Sequence, residues 1–262
     1  VVCAGTVGTG GAPLGAVLVV SANNFAGNAG ATVDAGAITA ASLTQNAGSG
    51  TSRLGAVTLT GAMSLTGSAI DLNGAITAPN GFSSTGTSFD NTGAAITTTN
   101  NNIVINHSAA VTIGSALSSG SGIVNIDSTG STINLNASIG VSTGAVTLDA
   151  AGITTITAAG AITATGAAPV SFGATLTGTV ATAGNVTTAG GAIHYYRDVQ
   201  LTGNVTLDAT NAGGTPAGAD IQADGAITRD GTARNLTIRA GTAGNVVCAG
   251  TVGTGGAPLG AV

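Results

Sequence analysis

The feature that most constrains the fold is a series of very short tracts in which apolar and small polar residues alternate. Examples are Val57–Leu59, Val146–Leu148 and Leu236–Ile238, and Gly, Asn or Ser separates most tracts from the next. A period of two places the apolar residues on one face of a β-strand and the polar residue on the other. Such tracts are shorter than the usual strands of globular sheets, so the pattern predicts an all-β chain of many brief strands.

Comparable tracts recur at a step of about 20 residues. The residues that we align are Val17, Ile38, Val57, Ile76 and Ile96, then Ile113, Ile133 and Ile153, and finally Val186, Val205, Ile227 and Val246. A step of this length with two or three short strands is typical of one coil of a β-solenoid, whose coils stack in parallel. We therefore predict a parallel β-helix with ladders of Val and Ile in its core.

An exact repeat at the two ends of the sequence sets a second, longer period. Residues 1–17 and residues 246–262 are both VVCAGTVGTGGAPLGAV, which gives an offset of 245 residues. We expect residues 1–262 to be one continuous β-solenoid that is a window of a tandem array. At about 20 residues per coil, a unit holds about 12 coils and rises about 58 Å.

Composition excludes several classes of protein. The chain contains 44 Gly among 262 residues and has no Glu, Lys or Trp, so a helical bundle and a helix-rich enzyme are excluded. The formal net charge of −5 offers no basic patch for phosphate groups, so we expect no nucleic-acid partner. No run of about 18 apolar residues exists, and we expect no transmembrane segment in this window.

Cys3 and Cys248 occupy the same position one unit apart. One hypothesis is a cross-link between neighbouring filaments through this thiol. The alternative is that Cys serves as a small buried hydrophobic residue within the Val-Val-Cys tract, because free Cys is among the most buried residue types.

The densest polar and aromatic segment is His194, Tyr195, Tyr196, Arg197 and Asp198. Tyr and Arg are enriched in interaction surfaces, so this segment is a candidate lateral or partner contact. The alternative is a bulged coil whose Tyr rings cover an apolar edge.

Asp220, Asp224 and Asp230 lie in a Gly-rich stretch, which raises the hypothesis of a Ca²⁺ site. The Gly-rich nonapeptide of calcium-binding β-rolls is absent. Three arginines, Arg229, Arg234 and Arg239, lie close enough in sequence to neutralise these carboxylates. We therefore expect no cofactor, with Ca²⁺ as a remote alternative.

Three stretches, residues 11–24, 36–77 and 199–214, resemble a known class of surface proteins in their composition and in their pattern of short alternating tracts. It is similar to the repetitive β-strand regions of filamentous haemagglutinin-type adhesins and of giant bacterial surface proteins with β-strand repeats. The resemblance implies a right-handed parallel β-helix that is exported and displayed as a long fibre, and it carries no catalytic residues with it.

We therefore expect a structural extracellular filament or fibre at the bacterial cell surface, and not an enzyme. Its expected partner is itself, through covalent end-to-end repeats and lateral bundling. An adhesin stalk that mediates cell–cell or surface attachment is the alternative. A polysaccharide-active β-helix enzyme is a remote alternative, because such enzymes use paired carboxylates, and aromatic residues are few here.

Ice binding is a further hypothesis, because Thr pairs on the outer surface of a solenoid form regular rows. The pairs Thr58/Thr60, Thr155/Thr157 and Thr163/Thr165 are candidates, although they do not recur at one constant position of the predicted coil. Outward Thr is also simply a favourable strand residue.

Overall fold

A computed structural model of the chain describes residues 2–3, 7–8, 13–20, 25–27, 38–253 and 259–260. These residues contain 29 short strands and no helix. In chain order, the strands are β1 (Val2–Cys3), β2 (Leu14–Val19), β3 (Phe25–Gly27), β4 (Ile38–Gln45), β5 (Thr51–Leu54), β6 (Val57–Leu59), β7 (Met63–Leu72), β8 (Ile76–Thr77), β9 (Phe82–Asp90), β10 (Ile96–Thr97), β11 (Ile103–His107), β12 (Val111–Ile113), β13 (Leu117–Gly120), β14 (Val124–Ser128), β15 (Ile133–Leu135), β16 (Ile139–Val141), β17 (Val146–Ala150), β18 (Thr154–Ile156), β19 (Ile162–Ala164), β20 (Val170–Phe172), β21 (Val180–Thr182), β22 (Val186–Thr188), β23 (Ile193–Tyr195), β24 (Val199–Leu201), β25 (Val205–Asp208), β26 (Ile221–Ala223), β27 (Ile227–Arg229), β28 (Leu236–Arg239) and β29 (Val246–Cys248).

The strands form three parallel ladders, and each coil passes through ladders I, II and III in turn. Ladder I contains the first parts of β2 and β4, then β6, β8, β10, β13, β16, β19, β22, β25 and β28. Ladder II contains the end of β2, the second part of β4, the first parts of β7 and β9, then β11, β14, β17, β20, β23, β26 and β29. Ladder III contains β1, β3, β5, the second parts of β7 and β9, then β12, β15, β18, β21, β24 and β27.

This architecture confirms the predicted parallel β-solenoid. Ladder I makes nine steps from Ile38 to Leu236, so the mean coil has about 22 residues and the described part of the chain holds about ten coils. The sequence predicted about 12 coils of about 20 residues for a whole unit. The coils are longer than predicted because their connections grow along the chain: Ile38 pairs with the nearby Val57, whereas Val205 pairs with the more distant Leu236.

The alignment of core residues is confirmed from Ile38 to Ile96, whereas Ile113 pairs with Leu135 and not with Ile133. Ile38, Val57, Ile76 and Ile96 stack in one column of ladder I. Ile153 does not belong to such a column: its side chain is 47 % exposed, and Thr154 is the residue that pairs with Ile133.

The last aligned series joins different ladders. Val205 lies in ladder I, Ile227 in ladder III and Val246 in ladder II. Long connections displace the coils here, so a constant step of about 20 residues no longer tracks one ladder. Val17 was also misassigned, since it pairs with Leu43 in ladder II and not with the column of Ile38.

The core is a stack of inward side chains at every second residue of each strand. In ladder II, one buried column consists of Leu65, Ser84, Ile105, Ile126, Leu148, Phe172, Tyr195 and Ala223. Most members are aliphatic, and their removal from water is the main favourable term in folding.

Glycine is required at corners where successive coils approach closely. A Cβ on Gly86 would lie 1.8 Å from the carbonyl oxygen of Gly67, and a Cβ on Gly144 would lie 1.9 Å from that of Gly122. Both distances are impossible for real atoms, so a larger residue would force the coils apart. The high glycine content is thus partly a consequence of stacking backbone directly on backbone.

We predict that inward and outward positions of one ladder differ sharply in their tolerance of truncation. Val124 points inward and is fully buried, whereas Val104, in the coil before, points outward and is partly exposed. Val124→Ala should lower the free energy of unfolding by about 2 kcal/mol, because it leaves a cavity. The matched control Val104→Ala should change it by less than about 0.5 kcal/mol. Urea denaturation measures both, and equal losses would contradict the assigned orientation.

Candidate functional site

The segment from His194 to Asp198 crosses from ladder II to ladder III and presents an exposed polar and aromatic patch. The rings of His194 and Tyr196 stack with centroids 3.6 Å apart. His194 Nε2 lies 3.0 Å from Asp224 Oδ2 in the next coil, and Gln222 Nε2 donates a hydrogen bond to Asp224 Oδ1. The hydrogen bond from Gln222, assisted by His194, lowers the pKa of Asp224. The patch is therefore preorganised across two coils.

Tyr195 does not belong to the exposed patch. It points inward, is 2 % exposed and stacks on Phe172, with ring centroids 4.4 Å apart. Burial raises the pKa of its phenol, and its hydroxyl has no hydrogen-bond partner. Alternation alone explains this orientation, because Ile193 and Tyr195 flank the outward His194. A lateral contact at this segment would have to use His194 and Tyr196.

Arg197 and Asp198 connect neighbouring coils. Arg197 Nε donates hydrogen bonds to the carbonyl oxygens of Gly173 and Leu176, at 3.0 Å and 2.8 Å, in the coil before. Asp198 Oδ1 accepts a hydrogen bond of 2.8 Å from the backbone N–H of Ala226 in the coil after. Both side chains therefore brace the solenoid around the patch.

The two cysteines lie in different ladders. Cys248 ends β29, and its free thiol is exposed. It pairs with Ala223, which is 5 % exposed, so the register gives Cys248 an inward position. Cys3 lies in β1 of ladder III, and its side chain is outside the described part of the structure. The filament cross-link stays a prediction.

The three carboxylates of the calcium hypothesis are engaged separately. Asp220 accepts two hydrogen bonds from Asn245, while Asp224 contacts His194 and Gln222 as described above. Asp230 forms a bidentate ion pair with Arg234, which lowers the pKa of the aspartate. Within the described residues, no group of three His, Cys, Asp or Glu side chains is arranged to hold a metal ion.

Two buried carboxylates that the sequence analysis overlooked hold loops. Asp149 accepts hydrogen bonds from the backbone N–H groups of Thr175 and Leu176, at 2.6 Å and 2.9 Å. Asp208 accepts hydrogen bonds from the backbone N–H groups of Thr210 and Ala212, at 2.7 Å and 3.0 Å. Although burial opposes its charge, these bonds lower the pKa of Asp208. The sequence could have indicated this shared role, because Asp149 and Asp208 each end a copy of the same tetrapeptide, Val-Thr-Leu-Asp.

A buried polar pair was also missed. His107 is fully buried, its Nε2 is hydrogen-bonded to Ser84 Oγ at 2.9 Å, and its ring lies beside Phe89. Its Nδ1 has no partner. Burial lowers the pKa of His107 to about 4, so the imidazole is neutral at physiological pH. The alternation of Ile103, Ile105 and His107 could have placed this histidine inside the core.

A row of small, uncharged residues, most of them threonines, runs along the outside of ladder I. Its members, each paired with the next, are Thr39, Thr58, Thr77, Thr97, Ser118, Gly140, Thr163 and Thr187. The row ends there, because Thr187 pairs next with Asp208, and Asp208 with Arg239. We call these eight residues the threonine row. Thr58 and Thr163 therefore occupy the same position of the coil, whereas Thr155 lies in ladder III. The sequence analysis had found no constant position for the Thr pairs, and for Thr58 and Thr163 this was wrong.

The outward positions of the other ladders are chemically mixed. Ladder III carries Arg53, Asp71 and Asp90 on its outer face, and Arg53 forms an ion pair of 2.7 Å with Asp71. Ladder II carries Val104, Asn125 and His194 among its outward residues. If Thr were present only because it favours strands, all three faces would be alike. The threonine row is thus a property of one face.

Comparison with known proteins adds no family to this description. No known protein family, curated protein sequence or solved structure gives a significant match to the chain. Nor do the described residues contain a helix that is long and apolar enough to cross a membrane. The fold and the geometry of its surface therefore carry the functional argument alone.

We predict that His107 makes stability depend on pH. Between about pH 6.5 and pH 4 the unfolded chain binds a proton that the folded chain excludes. The free energy of unfolding should therefore decrease as the pH is lowered from about 6.5 to about 4, by at most about 3 kcal/mol. His107→Gln should flatten this part of the profile, while the control His194→Gln should retain it. Urea titrations at a series of pH values measure the slope, and an unchanged profile for His107→Gln would contradict the assignment.

Proposed function

We propose that this chain is a unit of a structural extracellular filament, built at the bacterial cell surface from tandem β-solenoid repeats. The observation that carries the proposal is the combination of a parallel β-solenoid with an exact repeat in the sequence. Residues 246–262 repeat residues 1–17 at an offset of 245 residues. A repeated unit of this kind builds a rod whose length depends on the copy number.

The polar interior supports a structural role over an enzymatic one. Asp149 and Asp208 are buried, and both accept hydrogen bonds from loop backbone N–H groups. Ser84 and His107 form a hydrogen bond with each other inside the core. These groups are used to hold connections between coils, and we propose that the chain is not an enzyme.

The threonine row supports lateral bundling of filaments. None of these eight positions is charged, although the same register continues to Asp208 and Arg239 in the last two coils of ladder I. Two copies can therefore meet along this face without burying a charge, and small side chains allow two sheets to approach to about 10 Å.

The area of the row indicates that bundling needs more than one unit. Eight coils span about 34 Å, which gives a face on the order of 400 Å². A stable interface buries about 800 Å² per partner. One unit should therefore remain a monomer, and filaments of two or more units should associate. Ice is a less suitable ligand, because a single row does not match a two-dimensional lattice.

The resemblance to filamentous haemagglutinin-type adhesins and giant surface proteins supports export and surface display. Their parallel β-helix is the fold class of this chain. An adhesin stalk is the second candidate, since it would use the same solenoid and carry a binding tip elsewhere. The exposed stack of His194 and Tyr196 is the described feature that favours such a contact. Beads coated with the repeat separate the two candidates: adhesion to cells supports the adhesin stalk, and inert beads support the structural filament.

Electron microscopy of the source cells tests the filament most directly. At about 22 residues per coil, one unit holds about 11 coils, and the axial repeat should be about 53 Å. Fibres that carry this repeat and bind antibodies against the 262-residue chain support the proposal. Antibody labelling confined to the cytoplasm would contradict it.

We predict that charge on the threonine row prevents bundling. Thr58→Arg with Thr97→Arg places two cations between the facing sheets, which should lower lateral association at least about tenfold. Thr112→Arg with Thr155→Arg is the matched control, because both residues point outward from ladder III. Light scattering of multi-unit chains measures bundling.

The two pairs of variants should fold equally well, which circular dichroism verifies. Equal bundling by both pairs would show that the row is not the lateral contact. Thermal hysteresis by the single unit would instead identify ice as its ligand.

A further inference from the structure

Two Asn-Gly dipeptides lie close together in the sequence and differ in their structural settings. They are Asn73-Gly74 and Asn80-Gly81, and the sequence contains no other Asn-Gly dipeptide. Asn is one of the thermolabile residues of proteins. An Asn before Gly is especially labile, because no side chain shields or restricts the backbone nitrogen that follows it. The two pairs therefore allow one reaction to be compared in two settings.

The reaction is an attack of the backbone nitrogen on the preceding side chain. At the first pair, the nitrogen of Gly74 bonds to Cγ of Asn73, the bond from Cγ to Nδ2 breaks, and ammonia leaves with the proton of the N–H. Water then opens the five-membered imide at either of its carbonyl groups. The product is aspartate when the original backbone is restored, and isoaspartate when the backbone runs through the former side chain. Either product carries one additional negative charge.

The N–H of Gly74 is available for this attack. The N–H of Asn73 donates a hydrogen bond of 2.7 Å to the carbonyl oxygen of Leu54, and the carbonyl oxygen of Ala75 accepts one of 2.9 Å from Val57. Between these two bonds, the N–H of Gly74 has no acceptor among the described residues. Asn73 is exposed, and its side-chain amide has no hydrogen-bond partner in the described part of the chain. Hydrogen bonds therefore restrain neither reacting group.

The N–H of Gly81 is held by a turn. It donates a hydrogen bond of 3.0 Å to the carbonyl oxygen of Ala78, and this bond closes the turn that contains Asn80. Attack on Asn80 requires that the bond is first broken, and one backbone hydrogen bond shifts such an equilibrium by about fivefold. Asn80 is exposed, as Asn73 is. The hydrogen bonding of the following nitrogen, and not access to water, therefore distinguishes the two sites.

The fold itself requires a glycine after Asn73. A Cβ on Gly74 would lie 2.3 Å from the backbone nitrogen of Ala56 in the coil before. This distance is impossible for real atoms, so a larger residue at position 74 would force the two coils apart. The labile dipeptide is thus a consequence of stacking backbone directly on backbone.

Asn73 lies at a corner where a change of backbone length affects the core. It is placed between β7 in ladder III and β8 in ladder I. In β8, Ile76 is buried and Thr77 belongs to the threonine row. Isoaspartate adds one carbon to the backbone and lengthens the corner by about 1.5 Å. We expect this to displace Gly74 from the coil before and to strain the pairing of Ile76.

We propose that Asn73 is a site of spontaneous deamidation in the folded protein, whereas Asn80 is protected by its turn. The reaction consumes only water, releases ammonia and places a new carboxylate at one corner of the solenoid. No step restores the amide, so the modified fraction increases with the age of the protein. The inference concerns the folded unit and does not depend on the proposed filament.

Peptide mapping by mass spectrometry tests the assignment on the 262-residue chain. The folded chain is incubated at mildly alkaline pH in water that carries a heavy oxygen isotope, and the modified fraction at each Asn is followed over time. Asn73 should deamidate at least about fivefold faster than Asn80, and the product should contain the heavy isotope. In urea, where the fold holds neither N–H, the two rates should become similar.

Asn73→Gln is the control variant, because its longer side chain would have to close a less favourable six-membered ring. The mass change at position 73 should disappear in this variant, and the slow change at Asn80 should remain. Equal rates at Asn73 and Asn80 in the folded chain would overturn the assignment. A folded chain in which neither site changes, although both change in urea, would overturn it as well.

Thermal unfolding provides a second measurement, which concerns the strained corner. Anion exchange separates the modified chain from the unmodified one, and enzymatic methylation of isoaspartate identifies the lengthened backbone. The isoaspartate form should melt at a lower temperature than the fresh chain. Asn73→Asp adds the same charge to a backbone of normal length and should melt close to the fresh chain. Equal melting temperatures for all three would show that the corner is not strained.

Discussion

The structure depends on one constraint: each inward side chain must lie over an inward side chain of the coil below. Parallel strands share evenly spaced backbone hydrogen bonds, and a slip of one residue would turn every apolar side chain of a strand towards water. The columns of ladder II keep this register from Leu65 to Ala223, although the coils differ in length. The ladders are therefore fixed by pairing and the connections are free to vary.

Variation in the connections gives the solenoid its individual features. Near the middle of the chain, successive coils turn at Gly corners, and their connections are short, as in the 22-residue step from Val124 to Val146. Near Asp208, the chain inserts longer segments, and buried carboxylates or Arg197 hold them by accepting or donating hydrogen bonds. Charged side chains lie in all three ladders, among them Asp208 and Arg239 in ladder I, but the eight positions of the threonine row carry none. We propose this neutral face as the contact between filaments.

The sequence predicted those properties that depend on local alternation, and it failed where they depend on connection length. The parallel solenoid and the column from Ile38 to Ile96 followed from short tracts at a constant step. Ile153 was assigned to the core wrongly, because one extra residue in the connection moves Thr154 into register. Alternation around Ile193 could have placed Tyr195 inside the core, but its aromatic character suggested a surface.

The candidate site was less predictable than the fold. His194 and Asp224 meet only because two coils of unequal length place them in adjacent rows, and sequence separation does not reveal this. The threonine row was hidden by the same variation in coil length. Cys248 was predicted as either a cross-link or a buried residue; its register position is inward but its thiol is exposed, so both readings stay predictions.

Distances between spin labels along the threonine row test the central claim, that successive coils stack in register along one axis. Cysteines placed at Thr58, Thr97, Thr163 and Thr187 can be labelled in pairs in a chain without its natural cysteines. Thr58 and Thr97 are two coils apart, Thr58 and Thr163 five, and Thr58 and Thr187 six. The account predicts distances of about 10, 24 and 29 Å, which increase by ~4.8 Å per coil. Distances that do not increase with the number of coils would contradict it.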